Sequence, residues 1–108
     1  MDIPTYVDLQ SIIKKYQFVV VDFHATWCGP CKLLAPKLDE LAKANAIMRL
    51  VKVDIDKVPE ASDAYGVQQL PTIVFFVNGK PARTVTGANM NAINKTTFEI
   101  VSALQRPT

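Results

Sequence analysis

The chain has 108 residues, 49% of them hydrophobic, and a formal net charge of +2 from twelve basic and ten acidic side chains. That length supports one small domain with a two-sided core, and the interspersed charges form neither a basic stripe for nucleic acid nor an acidic block typical of disordered tails. The opening Met1-Asp2-Ile3-Pro4 lacks a basic region followed by an apolar one, and no apolar run approaches membrane-spanning length, so cytoplasmic residence without membrane or nucleic-acid partners is the expectation.

Leu9, Ile12, Ile13 and Tyr16 recur at helical spacing behind Thr5, and Asp8, three residues after Thr5, resembles a capping pair. A first helix is predicted there, preceded by a very short strand at Ile3. Residues 18–23 form a continuous β-branched and aromatic run, the pattern of a central parallel strand covered on both faces. From about 28 to about 45, Leu33, Leu34, Leu38 and Leu41 give a helix with an apolar face, in which Pro36 deletes a backbone bond and should introduce a kink. Residues 48–55 read as a second strand and 58–65 as a short helix stopped at Gly66, an alternation that implies another parallel strand pair. Then 73–77, Asn78-Gly79 and 83–86 read as an antiparallel hairpin, with Pro81 confining its second strand to a sheet edge. Ile93, Thr97, Ile100, Val101 and Leu104 mark a closing helix, with a frayed end at Arg106-Pro107-Thr108. No linker or repeat divides the chain. The pattern predicts a single α/β domain over residues 1–108, with a mixed β-sheet as the middle of three layers, α/β/α.

Both cysteines lie in Trp27-Cys28-Gly29-Pro30-Cys31-Lys32, between the first predicted strand and the second helix. Two thiols so spaced can close into a disulfide only where the chain turns tightly, and Gly29-Pro30 at the mouth of a helix supplies that turn. Pro30 forfeits no hydrogen bond in a first turn whose amides lack intrahelical partners. The remaining free amides point at Cys28 and favour its thiolate, which makes Cys28 the expected nucleophile and Cys31, one turn deeper, the resolving thiol.

Other uses of the pair fit poorly. A structural zinc needs four ligands and only His24 remains as a further soft or borderline donor, so no metal is expected; covalent haem attachment would require histidine where Lys32 stands. As a staple, a four-residue loop contributes only about 2 kcal/mol. Asp22 has two readings, a buried carboxyl with a raised pKa that holds a proton near the thiols, or a strand-end aspartate in water, and the residues alone favour water. Lys52, on the next predicted strand, reads by itself as a solvated edge lysine. Pro71 by itself reads as trans, since only about 6% of X-Pro bonds in folded proteins are cis.

The run from Val19 to Lys32, VVVDFHATWCGPCK, resembles the active-site segment of the thioredoxin family. Residues 52–56, Leu70-Pro71-Thr72, Asn78-Gly79 and Gly87 extend the likeness along most of the chain. The resemblance implies the thioredoxin fold and a protein-disulfide reductase with Cys28 and Cys31 as its redox disulfide. It makes Asp22 the buried carboxylate that serves Cys31 and Lys52 the lysine that modulates it. Pro71 becomes a cis-proline facing the disulfide, and Leu70 offers its backbone to a substrate segment. Trp27, Gly29, Pro30, Gly87 and Ala88 then form the surrounding contact surface.

The resemblance further implies a monomer re-reduced by an NADPH-dependent thioredoxin reductase, with peroxiredoxins, methionine sulfoxide reductases and ribonucleotide reductase as clients. The chain has no nucleotide-binding glycine motif, so no bound cofactor is expected. Two residues depart from common family patterns: His24 stands where aromatic or small residues are usual, and Gln69 where several members have glycine or a basic residue. Both should lie near the active-site rim and bear on partner preference. An oxidase or isomerase of secreted proteins would share the fold, but the Gly-Pro pair and the missing signal segment argue against it. A redox-dependent binding module or subunit, using the same surface without catalysis, is the alternative of a different class.

Overall fold

Eight elements follow in chain order: α1 (Tyr6–Lys15), β1 (Phe18–His24), α2 (Gly29–Ala44), β2 (Met48–Asp54), α3 (Pro59–Ala64), β3 (Thr72–Val77), β4 (Lys80–Thr86) and α4 (Met90–Leu104). The structure, a computed structural model, describes residues 1–106, so Pro107 and Thr108 of the expected frayed end lie outside the described residues. The strands form one sheet in the order β2-β1-β3-β4, with β1 parallel to β2 and antiparallel to β3, and β4 antiparallel to β3.

Alternation along the strands distributes the apolar residues over two cores. Val19, Val21 and Phe23 of β1 pack with Leu9 and Ile13 of α1 and Ala61 of α3 on one face. Phe18 and Val20 pack on the other with Leu34 and Leu38 of α2 and Ile93 and Ile100 of α4. The sheet is thus the middle of three layers. Burying each large aliphatic side chain contributes about 1.5–3 kcal/mol, so Leu34 and Leu38 together anchor α2 firmly against β1. Side chains alternate with period two, so Asp22 must share the α2 face with Phe18 and Val20, and its register partner Lys52 joins it there. Helix α1 begins as expected, with the Thr5 side-chain oxygen accepting from the Asp8 amide at 3.1 Å. Helix α2 runs through Pro36 as one element of 16 residues.

The strand–helix alternation does not extend into a further parallel pair of main strands. The chain enters β3 at the end of the sheet where β2 finishes, Thr72 pairing with Phe23 and Asp54 with His24, so β3 runs antiparallel to β1. Both residues of the following turn have positive φ, 53° at Asn78 and 83° at Gly79, as a type I′ turn requires. Strand β4 starts earlier than expected and includes Pro81. The missing donor is tolerated because β4 is an edge strand and the register slips between Phe75 and Phe76. The short strand expected at Ile3 is an isolated parallel bridge between Asp2 and Lys52: the Ile3 amide donates to the Lys52 carbonyl, and the Lys52 amide to the Met1 carbonyl, each at 2.8 Å. That bridge brings Asp2 to the end of the sheet where the cysteines lie.

Candidate active site

The chain leaves β1 at His24, turns through Ala25, Thr26 and Trp27, and enters α2 with Cys28 as the N-cap and Pro30 in the first turn. Cys28 has extended backbone angles (φ −88°, ψ 105°), and its Sγ accepts the Cys31 amide hydrogen at 3.2 Å, a capping contact usually made by a serine or aspartate oxygen. Cys28 and Cys31 are joined in a disulfide with a Cα–Cα distance of 5.3 Å, packed on Ala25, Ile55 and Leu70. Each cysteine is 5% exposed, so exposure does not separate them. The surfaces they line do.

Cys28 lines a groove of about 350 Å³ together with Trp27, Gly29, Pro30, Ile55, Val67, Gln68 and Leu70. Cys31 lines a separate cleft of about 390 Å³ with Asp22, His24, Lys52 and Ala35, its mouth flanked by Asp2 and Lys32. Cys28 shares its groove with uncharged side chains, and Cys31 shares its cleft with charged ones.

Asp22 is buried, 2% exposed, which overturns the reading of a strand-end aspartate in water. It sits under α2 because β1 continues two residues beyond it. Its Oδ1 has no hydrogen-bond partner among the described residues. Burial pushes its pKa from 3.8 up to about 6; His24 and Lys52 oppose that rise, while Asp39 and Asp2 add to it. Lys52 is part-buried, its Nζ 3.2 Å from Asp39 Oδ1 on α2, so its charge is divided between two carboxylates.

On the groove side, Trp27 is 67% exposed, and its Nε1 donates to Asp56 Oδ2 at 2.8 Å. The Asp56 amide in turn donates to Asp54 Oδ1 at 2.9 Å, which fixes the loop after β2 beneath the indole. The Leu70-Pro71 peptide is cis, as the family likeness implies and unlike the reading of Pro71 alone. The Gly87 amide donates to the Pro71 carbonyl at 2.8 Å, and its φ of 86° is one that side-chain-bearing residues rarely adopt. Ala88 is exposed next to it and does not line the groove. Gln69 does not line it either: its carbonyl accepts from Thr72 Oγ1 at 2.6 Å, and Gln68 occupies the rim position instead.

Sequence reasoning missed Asp39, Ile55, Val67 and Gln68, and it assigned no role to Asp56. Asp39 had a signal in the stripe Cys31, Ala35, Asp39, spaced by four along α2. The others are brought to the site by loops that carry no period.

The family model for thioredoxin matches residues 5–99. The chain belongs to the thioredoxin family. It is 45% identical to the thioredoxin of Echinococcus granulosus over 87 residues, 81% of each chain. It is 44% identical to thioredoxin-2 of Pyricularia oryzae over 82 residues, which are 76% of this chain and 48% of that relative. The solved thioredoxin of Plasmodium falciparum superposes with a TM-score of 0.88 at 35% identity, covering 91% of this chain and 96% of that one. A chain in a structure on thiol resolution in a yeast mitochondrial 1-Cys peroxiredoxin via glutathione/thioredoxin systems gives 0.88 at 32% identity, covering 92% and 93%. The fold is therefore the thioredoxin fold, and the chain is a thiol-disulfide oxidoreductase with protein-disulfide reductase activity, its redox centre the Cys28–Cys31 disulfide.

Proposed function

We propose that Cys28 is the attacking thiol, Cys31 the resolving thiol, and Asp22 the base that takes the Cys31 proton. The different surroundings of the two cysteines carry this reading: Cys28 is the N-cap of α2 and lines the groove of uncharged side chains, and Cys31 lines the cleft that contains the buried carboxyl. In the reduced chain the Cys28 thiolate, favoured by the α2 amides, attacks one sulfur of a client disulfide. A mixed disulfide forms and the other client sulfur leaves as a thiolate that takes a proton. Asp22 removes the Cys31 proton, Cys31 attacks Cys28 Sγ, and the second client thiol is released. Two electrons have passed to the client and the Cys28–Cys31 disulfide is restored.

An extended client segment is held along the Leu70 backbone beside Pro71. Trp27, Gly29 and Pro30 form one wall, with Gly87 and Ala88 at the far margin. A Cβ added at Gly29 would meet nothing within 4 Å, so approach over the disulfide from that side is open. Lys52 acts on Asp22 through its charge. The electron donor is an NADPH-dependent thioredoxin reductase. Peroxiredoxins are the clients best supported, because a similar chain belongs to a structure on peroxiredoxin resolution; methionine sulfoxide reductases and ribonucleotide reductase are further clients by family likeness. Residence in the cytoplasm as a monomeric, single domain completes the reading.

The test is catalytic reduction of a protein disulfide at the expense of NADPH, with a thioredoxin reductase present. NADPH consumption should require the chain and vanish in both Cys28→Ser and Cys31→Ser. Consumption that persists in either variant would overturn the proposal.

A further inference from the structure

His24 is the residue of the cleft that departs from the family pattern, and its surroundings give it a task. It follows Asp22 by two positions on β1, so both side chains project to the α2 face, about 7 Å apart along the strand. Its side chain is 22% exposed, and its Nε2 is buried, 3.7 Å from Asp2 Oδ1 and without a hydrogen bond among the described residues. Asp22 Oδ1 is in the same condition, and both residues line the cleft that reaches Cys31. Lys52, which also lines the cleft beside Asp22, is engaged by Asp39.

We propose that His24 is a positioning residue for resolution: its imidazolium charge keeps Asp22 ionised, and so able to accept the Cys31 proton, at mildly acidic pH. The inference rests on the reading of Asp22 as the base for Cys31. His24 opposes the rise in the Asp22 pKa more strongly than Lys52 does, in keeping with the diversion of Lys52 to Asp39. The charges around the imidazole are mixed. Asp22 on β1, Asp2 in the N-terminal bridge and Asp54, its register partner on β2, are acidic. Lys52 on β2, Lys57 after it and Lys32 on α2 are basic. Imidazole is the side chain whose charge ordinarily changes between pH 5 and 8. Two unit charges about 7 Å apart at an effective dielectric between 40 and 80 interact strongly enough to change the ionised fraction of a partner about threefold.

The experiment is a single-turnover measurement of resolution: release of a preformed Cys28 mixed disulfide, followed from pH 5 to 9 in the parent, His24→Gln and His24→Lys. His24→Gln should slow resolution about threefold at pH 6 and leave it unchanged at pH 8. His24→Lys, which carries a fixed cation, should restore the rate at pH 6. The NMR titration of the Asp22 carboxyl carbon should move upward in His24→Gln and return in His24→Lys. A His24→Gln profile superimposable on the parent, a loss uniform in pH, or a loss that lysine does not restore would each overturn the proposal. Asp22→Asn in the same assay separates the two levels: if it leaves resolution unchanged, the reading of Asp22 itself fails; if it slows resolution while His24→Gln does not, only the role of His24 falls.

Discussion

Replacing Asp22 by asparagine should stabilise the folded chain at pH 8 and not at pH 4. In the fold the carboxyl titrates at about 6 because it is buried, whereas the ordinary value is 3.8. Between those values the folded chain holds a proton that the unfolded chain has released, so stability falls as pH rises through that window and stays reduced above it. The gap corresponds to about 3 kcal/mol. An asparagine keeps the shape without the charge but leaves an amide beside a site lacking a hydrogen-bond partner, which costs about 1 kcal/mol. A net gain of about 2 kcal/mol at pH 8 remains, and at pH 4 none. Urea unfolding of parent and variant, both oxidised, at the two pH values is the assay. With a slope of about 1–2 kcal/mol per molar for a protein of this size, the variant midpoint at pH 8 should be higher by about 1 M or more. Equal midpoints at pH 8, or a difference independent of pH, would mean that burial does not penalise this carboxylate and that the raised pKa has been misread.

Asp56→Ala removes the acceptor that holds the Trp27 indole and should cost about 1 kcal/mol or less in stability, since the pair is exposed. Trp27 is the sole tryptophan, so its fluorescence anisotropy should fall unambiguously, and reduction of protein disulfides should slow severalfold while alkylation of reduced Cys28 by a small reagent is unchanged. Leu38→Ala opens a cavity between α2 and β1 and should cost about 2–5 kcal/mol, lowering the thermal midpoint by about 10 °C or more by calorimetry.

The fold was legible wherever a short-range pattern determined it. The apolar run in β1, broken only by Asp22, required cover on both faces, the recurring leucines of α2 and isoleucines of α4 supplied one cover, and Asn78-Gly79 specified the hairpin between β3 and β4. The direction of β3 was less accessible, because it depends on the path of the irregular segments on either side of α3, which have no periodic pattern. Within the site, the cysteine pair and its helix-mouth geometry followed from six residues. The burial of Asp22 did not, because an aspartate at residue 22 becomes buried only if β1 extends past it and α2 folds over it. Asp56 under Trp27 and Asp2 near His24 are contacts between separate elements with no periodic trace in the sequence, whereas Asp39, which meets Lys52, follows Cys31 and Ala35 at helical spacing. Gln68 and Gln69 differ by one residue along an irregular loop, where alternation offers no guide to which side chain faces the groove.

The division of labour between the two sulfurs is tested most directly by trapping. Reduced Cys31→Ser and reduced Cys28→Ser are each mixed with a protein bearing a surface disulfide, and mass spectrometry locates any covalent bond formed. The Cys31→Ser variant should accumulate a mixed disulfide through Cys28, because the thiol at the N-terminus of α2 attacks and nothing resolves the product. The Cys28→Ser variant should form none that persists, because Cys31 lies inside the first turn of α2, on the cleft beside Asp22. Equal trapping by both variants, or trapping through Cys31 alone, would contradict the assignment.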